Sequence, residues 1–172
     1  GPMKNNILSY KNFQSDFISK LAKTFNEKII IRIPGKHDHK DLVENIENLE
    51  YDNMSVKFDK VLERSKIIVV DNLNTTFVQC LLINKPTILL IDTVSWDFSS
   101  DFIETAEILE EAGILFYDIE LAVKRVDELL KNNNLWFNDI KIQSAVGNYL
   151  QKYTSDHNNW EKNWIHEIEA LL

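Results

Sequence analysis

The residue types best suited to chemistry in this chain lie in the turn Asp71-Asn72-Leu73-Asn74-Thr75-Thr76. An apolar run, Ile67 to Val70, ends abruptly at Asp71; a helical stretch is expected from Thr75 to about Ile83; Pro86 then resets the chain into a second apolar run. This is the order strand, loop, helix, strand. In a parallel sheet such a loop lies at the carboxyl edge of the strands, where ligands bind, and the first turn of the helix offers unpaired backbone N–H groups to an anion. Two threonine hydroxyls beside those groups could donate to a diphosphate without a lysine, helped by the helix dipole. The competing reading is structural: Asn74 or Thr75 caps the helix. The turn has no glycine, so it is neither a dinucleotide fingerprint nor a Walker loop.

Three further candidates carry the same ambiguity. Arg32 closes the β-branched run Ile29 to Ile33, and an arginine there either pairs with an acid or turns its fork to phosphate oxygens. His37 and His39, in Lys-His-Asp-His-Lys, have the chemistry of general acids or metal ligands, but no third ligand is identifiable and solvated loop histidines are the better fit. Trp96, between Asp92 and Asp97, could stack on a base, cover a sugar or pack its own loop. Trp160 and Trp164, four apart, share a helical face and suit packing against the domain. Cys80, flanked by Val78, Leu81 and Leu82, reads as a buried small apolar residue.

The elements that must position these residues follow from periodicity. Tyr10, Phe13, Phe17, Ile18, Leu21, Ala22 and Phe25 recur at helical spacing, predicting an amphipathic helix over 9–25. Pro34-Gly35 ends the first strand; a helix is expected over 41–50, a strand over 54–58 and a helical turn or two over 59–65. After the strand at 87–92, a helix over 100–112 stops at Gly113, a strand covers 114–117 and a helix covers 119–131. The expected fold is α/β: a Rossmann-like parallel five-stranded sheet with helices on both faces and a C-terminal aromatic-rich helical tail. Gly1-Pro2-Met3 reads as a remnant of tag removal; residues 4–134 form the expected Rossmann-like domain and 135–172 a helical extension packing on it.

At 172 residues and 44% hydrophobic, the chain can bury about 70% of its unfolded surface around one core. A net charge of -8 without a compensating basic stripe argues against nucleic acid as a partner. The apolar stretches all fall well short of a membrane span and no hydrophobic leader is evident, so a cytoplasmic location is expected. A single cysteine excludes an internal disulfide.

The stretch from Ser65 through Asp71, Thr75-Thr76-Phe77-Val78-Gln79 and Asn84-Lys85-Pro86-Thr87-Ile88 resembles the donor-binding half of GT-B glycosyltransferases. More narrowly, it is similar to a family of transferases of bacterial surface-carbohydrate biosynthesis, distantly similar to CDP-glycerol glycerophosphotransferases. The Trp96 loop, Glu111-Ala112-Gly113-Ile114, Trp136-Phe137, Gln143 and the aromatics Tyr153, Trp160 and Trp164 extend the match over most of residues 29–164. The resemblance implies a domain that binds a nucleotide-activated sugar or polyol and faces an N-terminal acceptor-binding domain across a cleft. It places Asp71, Asn74, Thr75 and Thr76 by the donor phosphates, has Arg32 neutralise the leaving group, and sets Gln79, Trp96 and His37 around the donor nucleoside and sugar. Where many such sequences carry a glutamate for the donor ribose, this chain has Gln79. No cofactor and no dissolved metal are implied, and the catalytic base belongs to the other domain. A GT-B-fold UDP-sugar epimerase and a non-catalytic, flavodoxin-like interaction module are the alternatives that fold alone leaves open.

Overall fold

The second apolar run, Thr87–Leu90, is a strand whose four residues are all buried, a pattern that requires cover on both faces. The computed structural model that places it describes residues 6–32, 47–52 and 54–154, with isolated positions 162, 165 and 169. In chain order the elements are α1 (Ile7–Thr24), β1 (Ile29–Arg32), β2 (Leu49–Asp52), α2 (Phe58–Arg64), β3 (Ile68–Val70), α3 (Thr75–Leu82), β4 (Thr87–Leu90), α4 (Ser100–Glu111), β5 (Leu115–Phe116), α5 (Ile119–Lys131), α6 (Asn134–Phe137) and α7 (Ile140–Tyr153).

Every ladder is parallel, with β4 between β3 and β5. Right-handed crossovers into successive neighbours put α3 and α4 on one face. There α3 lies on β3 and β4, α4 lies on β5, and α7 packs across both helices. On the other face α5 covers β4 and β5 and meets α1. The core runs continuously from Phe17 and Leu21 through Ile88, Leu89 and Leu90 to Ile142 and Tyr149, so α6 and α7 belong to it.

Two expectations need correction. The five strands form two sheets, β1-β2 and β3-β4-β5, not one five-stranded sheet. β1 spends its ladder bonds on β2, in register from Ile29↔Leu49 to Arg32↔Asp52, and among the described residues none joins it to β3. All four β1 residues are only half-buried, unlike the central strand of a continuous sheet. The strand expected over 54–58 lies instead at Leu49–Asp52. Asp52 ends it: its Oδ1 accepts from Met54 N at 2.9 Å, and Met54 turns the chain with φ +62°. The helix expected over 41–50 lies largely outside the described residues, as do His37, His39, Trp160 and Trp164.

Gly113 closes α4 in the left-handed region, φ +67°, a conformation that costs other residues a Cβ clash. At the amino edge of β4, Trp136 is fully buried. Its Nε1 donates to Asn84 Oδ1 at 2.8 Å, while Gln143 Nε2 donates to the Trp136 carbonyl at 2.9 Å and Asn84 Nδ2 donates to Gln143 Oε1 at 3.1 Å. Three residues of the family resemblance's periphery are thus a structural lock.

Cys80 is fully buried on α3, and burial pushes its thiol up to about 11, partly offset by the Thr87 hydroxyl and the Lys85 charge. An acid whose folded value is raised supports the fold fully below its ordinary value, 9.0, and loses that support as pH climbs toward 11. Between pH 8 and about pH 10.5, the wild type is expected to lose roughly 2 kcal/mol more than Cys80→Ala. Urea midpoints measured across that range check this; parallel profiles would refute it.

Candidate functional site

The carboxyl edge of β3-β4-β5 is built from two loops and an overlying helix. The first loop, residues 71–74, leaves β3 and enters α3. Phe77, Cys80 and Leu81 face the core, which turns Thr75 and Gln79, one turn apart, outward. Asn74 is the cap: its Oδ1 accepts from Thr76 N at 2.8 Å, as the structural reading of that residue had it. Asn74 and Thr75 remain exposed and Thr76 half-exposed, with no hydrogen bond to either threonine hydroxyl among the described residues. The first turn of α3 therefore keeps two hydroxyls and the Thr75 backbone N–H, with the positive end of the helix behind them, while Asn74 takes the Thr76 N–H through its side chain and the Phe77 N–H through its carbonyl at 3.1 Å.

Asp71 is not free in the same way. Gln14 Nε2 donates to its Oδ2, Asn72 Nδ2 donates to its Oδ1 at 2.9 Å, and Tyr10 Oη reaches its carbonyl at 3.5 Å. Burial raises the Tyr10 phenol above its ordinary value, and the neighbouring Asp71 carboxylate raises it further, so Tyr10 stays a neutral donor. Both Asp71 oxygens are engaged, one by Gln14 and one by Asn72.

The second loop follows β4. Asp92, 6% exposed, folds it: the carboxylate accepts from Val94 N at 3.1 Å and Ser95 Oγ at 2.5 Å, and its carbonyl accepts from Trp96 N at 3.0 Å. Trp96 emerges with its ring edge-on to Tyr10, centroids 6.1 Å apart. Its Nε1 is buried and has no hydrogen-bond partner among the described residues. Such orphans are rare in folded proteins.

The structure thus brings Asp71, Asn74, Thr75, Thr76 and Gln79 together along α3, with Trp96 across Tyr10. Arg32 lies at the end of β1. Its Nη1 donates to Asp52 Oδ2 at 2.5 Å and to the Val56 carbonyl at 3.0 Å, and its guanidinium lies 5.5 Å from the Phe58 ring. That pairing follows from register, since Arg32 and Asp52 are ladder partners. His37 falls outside the described residues. Tyr10 and Gln14 were missed as site residues because an amphipathic helix explained them; the available signal was the stripe Asn6, Tyr10 and Gln14, spaced four apart.

Among the described residues no group of three or more His, Cys, Asp or Glu side chains is placed to hold a metal ion. A shallow groove lined by Glu104, Thr105, Ile108, Leu109, Ala145, Asn148, Tyr149 and Lys152 lies between α4 and α7. No described helix is long and apolar enough to cross a membrane. Residues 2–168 match the LIC12162 family transferase profile. No curated protein and no solved structure matches the chain.

Proposed function

The chain belongs to the LIC12162 family of transferases, and from that premise we propose that it is a donor-binding domain, holding a nucleotide-activated sugar or polyol at the carboxyl edge of β3-β4-β5. The observation that carries the reading is the first turn of α3, where the Thr75 and Thr76 hydroxyls have no hydrogen-bond partner among the described residues and stand at the positive end of the helix. In a group transfer from a nucleotide donor, charge develops on the departing diphosphate. Fixed N–H and O–H donors stabilise that charge without reorganising.

Gln79 suits a donor hydroxyl one helical turn from Thr75, and the half-buried Trp96 offers an aromatic wall. Arg32 is left out of the phosphate grip in this reading, because its Nη1 is committed to Asp52 and Val56. The likeness to GT-B glycosyltransferases extends the proposal to a surface-polysaccharide transferase in which a separate N-terminal domain binds the acceptor and supplies the base.

Calorimetry with CMP, CDP and UDP tests the proposal. Thr75→Val combined with Thr76→Val is expected to weaken CDP or UDP binding by about 1.5 to 3 kcal/mol. The melting temperature should change little, because Asn74 remains as cap. A wild-type chain that binds none of the three nucleotides would overturn the reading and favour an interaction module. Turnover of a UDP-sugar by this chain alone would favour an epimerase.

A further inference from the structure

Asn6, Tyr10 and Gln14 form one stripe on α1 and its N-terminal cap, at the spacing that aligns side chains on a helix face. The buried residues of α1, Phe17 and Leu21, lie in its second half. The polar stripe makes a different set of contacts, all to the two ligand-edge loops. Gln14 holds the Asp71 carboxylate and Tyr10 reaches the Asp71 carbonyl. Tyr10 also packs edge-on to Trp96, while Asn6 Nδ2 donates to the Val94 carbonyl at 2.5 Å and the Asn6 carbonyl accepts from Ser95 Oγ at 3.4 Å. No ladder joins these two loops, so this stripe ties them.

We propose that the first two turns of α1 are a strap that sets both loops at once, with Gln14 as the positioning residue for Asp71 and Tyr10 for Trp96. Its consequence for ligand binding rests on the donor-binding reading above. Gln14 and Asn72 each donate to one Asp71 oxygen, and the two bonds fix where that negative charge sits relative to a diphosphate at α3. Freed from Gln14, that negative charge would stand within reach of the phosphate oxygens, where it opposes binding.

Two measurements separate the strap from the function it serves. The first needs no ligand: amide hydrogen exchange in wild type, Tyr10→Ala and Gln14→Leu. A strap predicts that Tyr10→Ala speeds exchange at both 71–76 and 92–96, with α5 unchanged; faster exchange in one loop alone, or in neither, overturns it. The second is CDP and UDP affinity. Gln14→Leu is expected to bind about tenfold more weakly, a hydrogen bond to charge being at stake, with a melting temperature within about 4 °C of wild type. Gln14→Lys, which still donates to Asp71, should restore most of the affinity, whereas Lys20→Ala, at the other end of α1, should change nothing. Equal affinity in Gln14→Leu overturns the positioning role. If the wild type binds no nucleotide, the donor reading falls while the exchange experiment still decides the strap.

Discussion

Trp136→Ala is expected to destabilise the fold by about 4 kcal/mol, the scale for truncating a fully buried tryptophan. The indole fills the junction of α5, α6 and α7, and its Nε1 is the donor that Asn84 Oδ1 accepts. Truncation therefore opens a cavity and also removes a partner from a polar lock inside the protein, where an unmade hydrogen bond costs more than a made one contributes. Trp136→Phe separates the two effects. It keeps most of the volume and should cost about 0.5 to 1.5 kcal/mol, the scale of one hydrogen bond, because the half-buried Asn84 Oδ1 still accepts from Gln143 Nε2 at 3.3 Å. Against a typical total of roughly 5 to 15 kcal/mol, the alanine variant should be marginal at physiological temperature. Urea unfolding followed by far-UV circular dichroism measures both; losses below 1 kcal/mol for Trp136→Ala would contradict the observed packing.

Arg32→Ala carries the second large effect, again on stability. The Asp52 side chain is 3% exposed and the Arg32 side chain 18%, so removing the arginine leaves a carboxylate away from water with its main counter-charge gone. A loss of about 3 kcal/mol is expected, as for breaking a buried pair from one side. The double variant Arg32→Ala with Asp52→Leu should recover part of it, because the uncompensated charge is removed as well. The same variants bear on ligand binding. A phosphate-gripping arginine would lose affinity in Arg32→Ala whatever happens to stability. The pairing with Asp52 instead predicts nucleotide affinity close to wild type in the double variant, measured below its unfolding transition. A tenfold loss of affinity in that variant would return Arg32 to the donor site.

Both predictions come from contacts between residues distant in the chain, and this marks what sequence reasoning could reach. The strand–loop–helix around Asp71 was legible because every determinant is local: an apolar run that stops, an asparagine that caps, and Phe77, Cys80 and Leu81 at helical spacing. The same holds for α5, which matches its expected span of 119–131, and for Gly113 at the end of α4. The strand expected over 54–58 failed for the opposite reason. Its alternation was too weak to compete with the Asp52–Met54 turn and with pairing to β1, and only the partner strand sets that register.

The candidate site divides in the same way. From residue types alone, Asn74, Thr75 and Thr76 announce a helix start able to meet an anion, and whether Asn74 caps or grips was decided by its bond to Thr76 N. The partners of Asp71 were beyond reach, since Gln14 lies 57 residues away on a helix whose own pattern is satisfied by its apolar face. By itself the sequence determined the secondary structure from β3 onward, the parallel α/β class and the chemistry available at the strand ends, all of which depend on neighbours a few residues apart. Tertiary structure alone decided how the strands divide into sheets, that Arg32 meets Asp52, and that α1 ties two loops together. Each of these is a choice among long-range pairings of similar local cost, and the packing of the whole chain selects it.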